Sequence, residues 1–575
     1  MKKYWEILER YKISLAISPF LILIAVLSET VQPLFMARII DDGVIQRDLL
    51  VVSEVGLHMV LISLAGLLFS VANIYISSKT SIGFGTDLRT ALFDKIQQLT
   101  FNDIDRFNSA SLITRLTSDI TRIQHIVLMS MRILLRAPMM LVMTVFFVVR
   151  INTGLAMILL VSIPVLSISV YLILRKGFPL FLKVQQQLDR LNGVVRENLI
   201  NIRVVKSFVR EGFEAGKFAK SSDDLRDLVI KASNTVVTMF PVMQLVMNLS
   251  LMAILWFGGN KVVGNEIKVG ELISFVNYLT QVLMSLMMLS VIIMAFVRAS
   301  ASSERIVEVL NAKPSLVDPP AGLAGSHRIR EGRVAFRNVS FRYEGGEEDV
   351  LQDVTFEVNQ GETIAVVGAT GSAKSSMVQL IPRLYDVTKG EVSIDNINVK
   401  DYHSDELHCK IGMVLQKNEL FTGTIADNLR WGKQGATQPE IEAAARAAEA
   451  HDFILSFPEG YDTMLGRGGV NVSGGQKQRL CIARALLGKP KILILDDSTS
   501  AVDTETELRI RRNLNALLAD TTVFIITQRV HTMQSADRVI VLEDGRVEAV
   551  GKPDELIRTS EVYKEIYYSQ QITLQ

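Results

Sequence analysis

Long apolar runs fill roughly the first half of the chain, up to Leu310, and do not recur beyond it. A hydrocarbon core needs about 20 consecutive apolar residues in helical form. Five runs reach that length: 15–37, 55–77, 154–174, 232–260 and 272–297. The first carries one charge, Glu29, and the other four carry none. A sixth run, 126–149, is interrupted by Arg132 and Arg136 and is charge-free only over 137–149. It reads as a span whose N-terminal half lies in the headgroup zone or inside the protein. No cleavable leader is expected, because the first run lacks a small-residue cleavage site and is long enough to span.

Basic residues orient these spans. Lys2, Lys3, Arg10 and Lys12 precede the first, and the long connections 79–124 and 175–231 are rich in Lys and Arg. The connections 41–48, 150–153 and 261–271 are short. The positive-inside rule places both termini and both long connections in the cytoplasm. Leu88, Leu92, Phe93, Ile96 and Leu99 recur at helical spacing, as do Val194, Leu199 and Ile202. The long connections are therefore expected to be helical hairpins that continue past the bilayer.

The segment 311–330 holds Pro314, Pro319, Pro320, Gly322 and Gly325 without periodicity, and reads as a linker between 1–310 and 331–575. Beyond it, strand-like runs 334–341 and 350–358 alternate with helical ones. The short continuous apolar runs 363–367, 491–495 and 522–526 suit a parallel sheet buried on both faces. The second half is an α/β domain.

Composition changes this picture little. Lys plus Arg number 61 against 60 Asp plus Glu, so charge gives no sign of a nucleic-acid partner. The two cysteines, Cys409 and Cys481, have no metal-ligand spacing and read as small core residues. Of 21 methionines, 17 precede Leu310. Met239, Met243, Met247, Met252, Met284, Met287, Met288 and Met294 populate the last two spans; any single one reads as lipid-facing or packing, and as a group they mildly favour a cavity for hydrophobic cargo. Glu29, Arg132 and Arg136 are candidate intramembrane functional groups. The alternatives are a cytoplasmic or interfacial place for the arginines, and a structural hydrogen bond or a place at the outer edge for Glu29.

Three local strings carry chemistry. After the run 363–367 comes Gly368-Ala369-Thr370-Gly371-Ser372-Ala373-Lys374-Ser375, followed by Ser376. A strand, a glycine-containing loop and a helix in that order present backbone N–H groups to phosphates. Lys374 is placed to reach β- and γ-phosphates and Ser375 to ligate Mg²⁺. Ala373 stands where the pattern has glycine, so its Cβ restricts φ there. The run 492–495 ends in Asp496, where a carboxylate orients Mg²⁺, and Asp497 follows. Between them in the chain, Ser473-Gly474-Gly475-Gln476 opens a helical run and forms a second anion-facing surface.

With these strings the chain resembles the ABC transporter family, specifically its exporter-type half-transporters, over essentially its whole length. Gly368–Ser375 looks like the Walker A motif, Asp496 closes Walker B, and Ser473–Gln476 lies in the signature motif, with Val472 in place of its usual leucine. Tyr343 matches the adenine-stacking aromatic, Gln416 the glutamine near the metal, and Ser500-Ala501-Val502-Asp503 the D-loop. Arg106-Phe107 with Leu112, Arg115, Leu116 and Asp119 resembles the first intracellular loop. Glu197, Ile202, Arg203, Val205, Lys206, Phe208 and Glu211 resemble the second. The resemblance implies a six-helix transmembrane domain joined to an α/β P-loop nucleotide-binding domain. It also implies ATP and Mg²⁺ as ligands, and two ATP molecules sandwiched between paired domains.

Two departures stand out. The family's catalytic base, a Glu after the Walker B Asp, is here Asp497, one methylene shorter; its switch histidine is here Gln528. His531 lies three residues on and is expected to point elsewhere. Together these imply one subunit of a heterodimeric bacterial exporter of hydrophobic or amphipathic compounds, multi-pass in the cytoplasmic membrane. Its own Walker site would hydrolyse ATP poorly, and its signature would complete the site of a homologous partner. An exporter-shaped importer, a homodimeric lipid or peptide exporter and a non-hydrolysing regulator are the alternatives.

Overall fold

The computed structural model describes residues 2–319, 327–498 and 501–572. Pro320, Gly322 and Gly325 of the expected linker, and Ser500, lie outside them. The chain divides into two compact units, 1–97 with 110–312 and 98–109 with 313–575.

The first unit is helical. Among the described residues six helices are long and apolar enough to cross a membrane: Lys12–Val44, Leu49–Gln97, Ser109–Ile151, Thr153–Ile200, Glu211–Val263 and Val269–Leu289. The first five each contain one of the expected apolar runs, and the sixth is part of the helix Val269–Asn311, which contains the run 272–297. The second, fourth and fifth reach 49, 48 and 53 residues, more than twice what a bilayer requires. They extend well past the length a bilayer needs, and Leu88 and Leu92 are fully buried along one of them. The other extension differs from expectation. Asn201 leaves helical geometry after Ile200, and Ile202 opens a separate helix, Ile202–Ser207, so Leu199 stays exposed. Only 11% of the second span's apolar window is buried in the chain. A row of leucines so bare is stable only where lipid or another chain covers it.

Polar pins hold the spans in register. The Tyr278 hydroxyl donates to the Thr30 carbonyl at 2.8 Å, and Ser274 Oγ to the Pro33 carbonyl at 2.6 Å. Pro33 has no N–H, so the Glu29 carbonyl loses its helical partner; Gln281 Nε2 approaches it at 3.5 Å instead. Arg132 donates to the hydroxyls of Ser77 (2.8 Å) and Ser78 (2.6 Å) and to the Ile74 carbonyl, whereas Arg136 pairs with Glu29. The grouped methionines do not act as one set. Met243 is buried in a cluster with Met239, Met247 and Met287, and Met252 is exposed. Met284 and Met288 line a cavity, and the side chain of Met294 is outside the described residues. Helix periodicity explains the division: residues on different faces of one helix meet different neighbours.

The second unit is built on a six-stranded sheet. Edge to edge it runs Arg546–Gly551, Arg538–Glu543, Thr363–Gly368, Thr522–Ile526, Ile492–Asp496 and Ile411–Val414. All neighbours are parallel except the Arg546–Gly551 edge strand. Val366, Ile494, Phe524 and Ile540 are fully buried in one core, and Leu493 and Leu495 fall in another. Burial on both faces is why these strands read as unbroken apolar runs. An antiparallel sheet, in the order Leu351–Val358, Val334–Phe341, Lys389–Ile394 and Ile397–Asn398, completes the unit. Cys481 is buried, but Cys409 is exposed near the end of the short helix Ser404–Lys410, contrary to its reading as a core residue.

Residues 98–109 join two spans in sequence yet pack with this second unit. The helix Phe101–Phe107 is capped by Thr100, and Asp103 Oδ2 accepts from Thr100 N (3.0 Å), Thr100 Oγ1 (2.8 Å) and Ser315 N (3.1 Å). Tyr385 donates its hydroxyl to Asp105 at 2.8 Å, and Asn102 Nδ2 donates to Glu344 at 2.8 Å. Burial pushes the Asp103 carboxyl upward, but the donors from Thr100 and Ser315 outweigh it and hold it below the usual aspartate range. A lowered carboxyl contributes stability above its unfolded value and loses it as pH falls through the folded one. Asp103→Ala should therefore cost about 1 kcal/mol at neutral pH. In thermal melts of the full-length protein the difference should persist at about pH 5 and close below about pH 4.

Candidate functional site

The parallel strands end together on one edge, and their loops enclose a cavity of about 370 Å³. Lys374, Ser375, Gln416, Asp496, Asp497 and Gln528 all line it. The loop after Thr363–Gly368 explains its shape. A Cβ at Gly368 would stand 2.2 Å from the Leu542 carbonyl, so only glycine lets the strand turn there. Gly371 takes φ +91°, with nothing within 4 Å of the place a Cβ would occupy, leaving an open cradle. Ala373 adopts φ +68° in the left-handed region, and its Cβ makes that conformation costly.

The Lys374 ammonium lies across the loop, donating to the carbonyls of Gly368 (2.9 Å) and Ala369 (2.7 Å) and to Ser372 Oγ (3.2 Å). Burial lowers its pKa, against the pull of Asp496 and Asp497. Ser375 Oγ donates to Asp496 Oδ1 at 3.1 Å. Burial raises the Asp496 carboxyl, helped by the neighbouring Asp497 charge and opposed by Ser375 and Lys374. Asp496 is at the end of its strand, paired in register with Ile526. Asp497 follows in a left-handed turn at φ +47°, its N–H donating to the Ile526 carbonyl at 3.1 Å. Thr527 and Gln528 continue from the adjacent strand, with Gln528 exposed at the cavity. A serine hydroxyl, a buried carboxylate and a glutamine amide are hard oxygen donors, the set that suits Mg²⁺. The open cradle at Gly371 beside an ammonium suits phosphate oxygens.

Thr370, Ala373 and Ser376 line the same cavity, as does Val350, which no motif pointed to. Tyr343 is not in its lining. The Tyr343 hydroxyl shares a 2.9 Å hydrogen bond with Ser376, while its ring stands edge-on to Phe341 and Tyr385 at centroid distances of 4.7 and 5.2 Å.

The second anion-facing string lies elsewhere. Ser473 caps the helix Gly474–Leu487 and shares a capping box with Gln476: Ser473 N donates to Gln476 Oε1 at 2.8 Å, and Gln476 N donates to Ser473 Oγ at 3.3 Å. The cavity's lining includes none of Ser473, Gly474, Gly475 or Gln476, and Ser473 and Gly474 are exposed. A Cβ at Gly475 would stand 2.7 Å from the Ala501 carbonyl, so the helix start presses against the 501–503 turn. Ala501 N donates to Gln478 Oε1 at 3.0 Å, and Asp503 caps the helix Thr504–Leu517 by accepting from Thr506 N at 2.9 Å. The expected site residues thus form two separate groups in this chain.

Glu507 was not singled out in the sequence, yet it is only 2% exposed and gathers the region. Thr532 Oγ1 donates to it at 2.8 Å, Arg511 stands at 3.3 Å, and Arg529 pairs with it. Arg529 also donates to the Val502 carbonyl at 3.1 Å, so one carboxylate ties the 501–503 turn to the loop after Gln528. His531 Nε2 lies 3.3 Å from Glu507 and is directed away from the cavity. Burial would raise the Glu507 carboxyl, but Thr532, Arg529 and His531 outweigh it and hold it below the usual range. The sequence signal available was Glu507 four residues before Arg511 on one helix.

Two family models match the chain: the ABC transporter transmembrane region over residues 15–286 and ABC transporter over residues 351–500. YfiB of Bacillus subtilis (strain 168), described as an uncharacterized ABC transporter ATP-binding protein, is 40% identical over 570 residues, covering 99% of this chain and 98% of YfiB. The chain belongs to the ABC transporter family. This transporter is also 31% identical over 579 residues to YgaD of the same organism, a putative multidrug export ATP-binding/permease protein, covering 100% and 99% of the two chains. The solved structure of a bacterial Atm1-family ABC exporter with ATP bound superposes with a TM-score of 0.81 at 25% identity, covering 98% of each chain. The transporter is an exporter-type half-transporter, a multi-pass transmembrane region fused to an ABC ATPase domain for ATP-driven transport.

Relieving the left-handed alanine tests the loop. Ala373→Gly removes about 1–2 kcal/mol of strain against about 0.4–1 kcal/mol of unfolded-chain entropy. The ATPase domain should melt roughly 2 °C higher by calorimetry. Glu507→Gln keeps the shape but leaves Arg511 and Arg529 without their counter-ion. It should destabilise the domain by about 2–3 kcal/mol in denaturant titrations, less than for a fully buried pair because Arg529 is partly solvated.

Proposed function

We propose that this transporter is one subunit of a heterodimeric exporter that moves hydrophobic or amphipathic compounds of multidrug or lipid type across a bacterial cytoplasmic membrane. Residues 1–310 form its transmembrane domain, 311–330 the linker and 331–575 the nucleotide-binding domain, with both termini cytoplasmic. Its own Walker site binds ATP with Mg²⁺ and turns it over slowly. Its signature segment completes the catalytic site of a homologous partner.

One observation carries this reading: Asp497 and Gln528 stand in the cavity at the positions where a base and a cationic switch are needed. The Asp497 carboxylate is one methylene short, on a left-handed turn pinned to the Ile526 carbonyl, so it cannot extend toward an attacking water. Gln528 carries no charge for a γ-phosphate. The binding parts are in place beside them. Thr370, Gly371 and Ser372 cradle phosphate, Lys374 neutralises it, and Ser375, Gln416 and Asp496 offer Mg²⁺ oxygen ligands that hold the nucleotide's phosphates in a fixed pose. Tyr343 supplies the adenine platform. Ser473, Gly474, Gly475 and Gln476 form a capped helix start outside this cavity, with Ser473 and Gly474 exposed, as suits a surface that meets another chain's nucleotide, with Asp503 beside it.

Steady-state ATPase rates of the reconstituted heterodimer distinguish the two sites. Ser473→Ala should lower turnover by about 10²-fold, whereas Asp497→Asn should change it less than about threefold. Vigorous ATPase activity from this chain alone, abolished by Asp497→Asn, would instead establish a homodimer with a competent site.

A further inference from the structure

The transmembrane unit holds a second cavity, of about 560 Å³, between its first, second, third and sixth spans. Five methionines supply much of the apolar wall: Met36, Met59, Met140, Met284 and Met288. Unbranched thioether side chains adapt to guests of varied shape. One ion pair stands on this wall, Arg136 with Glu29, their side chains 32% and 44% exposed. Both face the cavity, and Arg136 with Met288 also lines an adjoining space of about 240 Å³.

The two arginines of the third span differ in what they leave unused. Arg132 spends its donors on Ser77, Ser78 and the Ile74 carbonyl. Arg136 has Glu29 as its acceptor, and its Nε is buried with no hydrogen-bond partner. A guanidinium offers five donors in a planar fork that matches carboxylate and phosphate oxygens. A buried donor without an acceptor is a standing cost, which leaves this guanidinium less fully satisfied than that of Arg132.

We propose that this cavity binds the acidic headgroup of an amphiphile, a phosphate or carboxylate, on Arg136 while the methionines hold its tail, and that Glu29 is the internal stand-in which the guest displaces. The inference rests on the exporter reading and names the class of its cargo. The asymmetry of the ion pair selects the sign of charge. A cationic guest on Glu29 would strand Arg136, and a guanidinium cannot discard its charge in a low-dielectric site. An anionic guest keeps the Arg136 charge paired, and the Glu29 carboxylate that it displaces is already partly exposed to the open cavity. The turn that carries Glu29 is also the one loosened by Pro33, its carbonyl held by Gln281 at 3.5 Å in place of a main-chain N–H. Gln32 and Gln281 line the same wall and offer amide groups to the displaced side chain.

The test uses full-length protein in phosphatidylcholine nanodiscs and saturable binding of radiolabelled dodecyl phosphate beyond that of protein-free discs, with dodecyltrimethylammonium as the cationic counterpart. Dodecyl phosphate should bind saturably and the ammonium should not. Arg136→Gln should weaken phosphate binding by at least about tenfold, Arg136→Lys should recover part of it, and Glu29→Gln should strengthen it by removing the competitor. Retained binding of a fluorescent ATP analogue shows that each variant is folded. If Arg136→Gln misfolds, the Glu29→Gln gain and the Arg136→Lys loss decide the matter alone. Phosphatidylglycerol in the disc should compete if the natural guest is a bilayer lipid and leave binding unchanged if it is a free amphiphile. Either result supports the anionic site. Ammonium binding lost in Glu29→Gln, or phosphate binding indifferent to Arg136, overturns it. ATP-dependent uptake of any dye into inside-out vesicles that carry the reconstituted heterodimer tests the exporter reading separately. Transport without phosphate binding sinks only the site, and phosphate binding without any transport sinks only the exporter reading.

Discussion

Parallel pairing of Thr363–Gly368 with Thr522–Ile526, and of Thr522–Ile526 with Ile492–Asp496, is the constraint on which the nucleotide cavity depends. Parallel strands must all end on the same edge of the sheet. The register sets Ile526 against both Val366 and Asp496. That alignment brings the glycine loop, the two aspartates and Gln528 around one space, although the loop lies more than a hundred residues before the others. The burial that keeps the strands apolar also desolvates the Asp496 carboxyl at their end and raises it. A hydroxyl from Ser375 and the nearby Lys374 ammonium oppose that rise, so the part of the sheet that is hardest to solvate is also the part best prepared for cations and phosphates.

Backbone strain gathers at the same edge. Ala373 and Asp497, both in left-handed conformations, flank the place where phosphates would lie. Glycine and glutamate at these two positions are what the family pattern leads one to expect. This chain instead has a Cβ where the loop wants none and a shorter arm where reach is needed. Glu507 lies outside the cavity and organises the loops next to it. It holds Arg529, Arg511 and Thr532 together, and through Arg529 it reaches the Val502 carbonyl.

The transmembrane unit follows a different rule. With lipid as solvent there is little hydrophobic gain in bringing spans together, so polar contacts and local fit decide their arrangement. Tyr278 on the Thr30 carbonyl, Ser274 on the Pro33 carbonyl and Arg132 on Ser77 and Ser78 are such contacts. Pro33 frees a carbonyl on the turn of Glu29, and a glutamine from another helix approaches it. One helix irregularity thereby joins a structural contact to the only described ion pair on the methionine-lined cavity.

Much of this was legible in the chain itself. Five apolar runs of bilayer length, with a sixth interrupted by Arg132 and Arg136, called for six helices, because helices satisfy their own backbone in lipid. Unbroken Val/Ile/Leu runs ending in Gly368 and Asp496 demanded a buried parallel sheet with a phosphate loop, because local spacing alone dictates such elements. Facts that arise between distant residues were not legible. The spacing of eight methionines did not tell which two face the cavity, since that depends on how the helices rotate against their neighbours. The periodicity through Leu199 did not tell that it would stay uncovered within the chain. Nothing local marked Arg136 as the partner of Glu29, 107 positions apart, or Glu507 as the hub of Arg529 and Thr532. Secondary structure follows from neighbours along the chain, but charge pairing and cavity lining follow from neighbours in space, and only the folded structure supplies those.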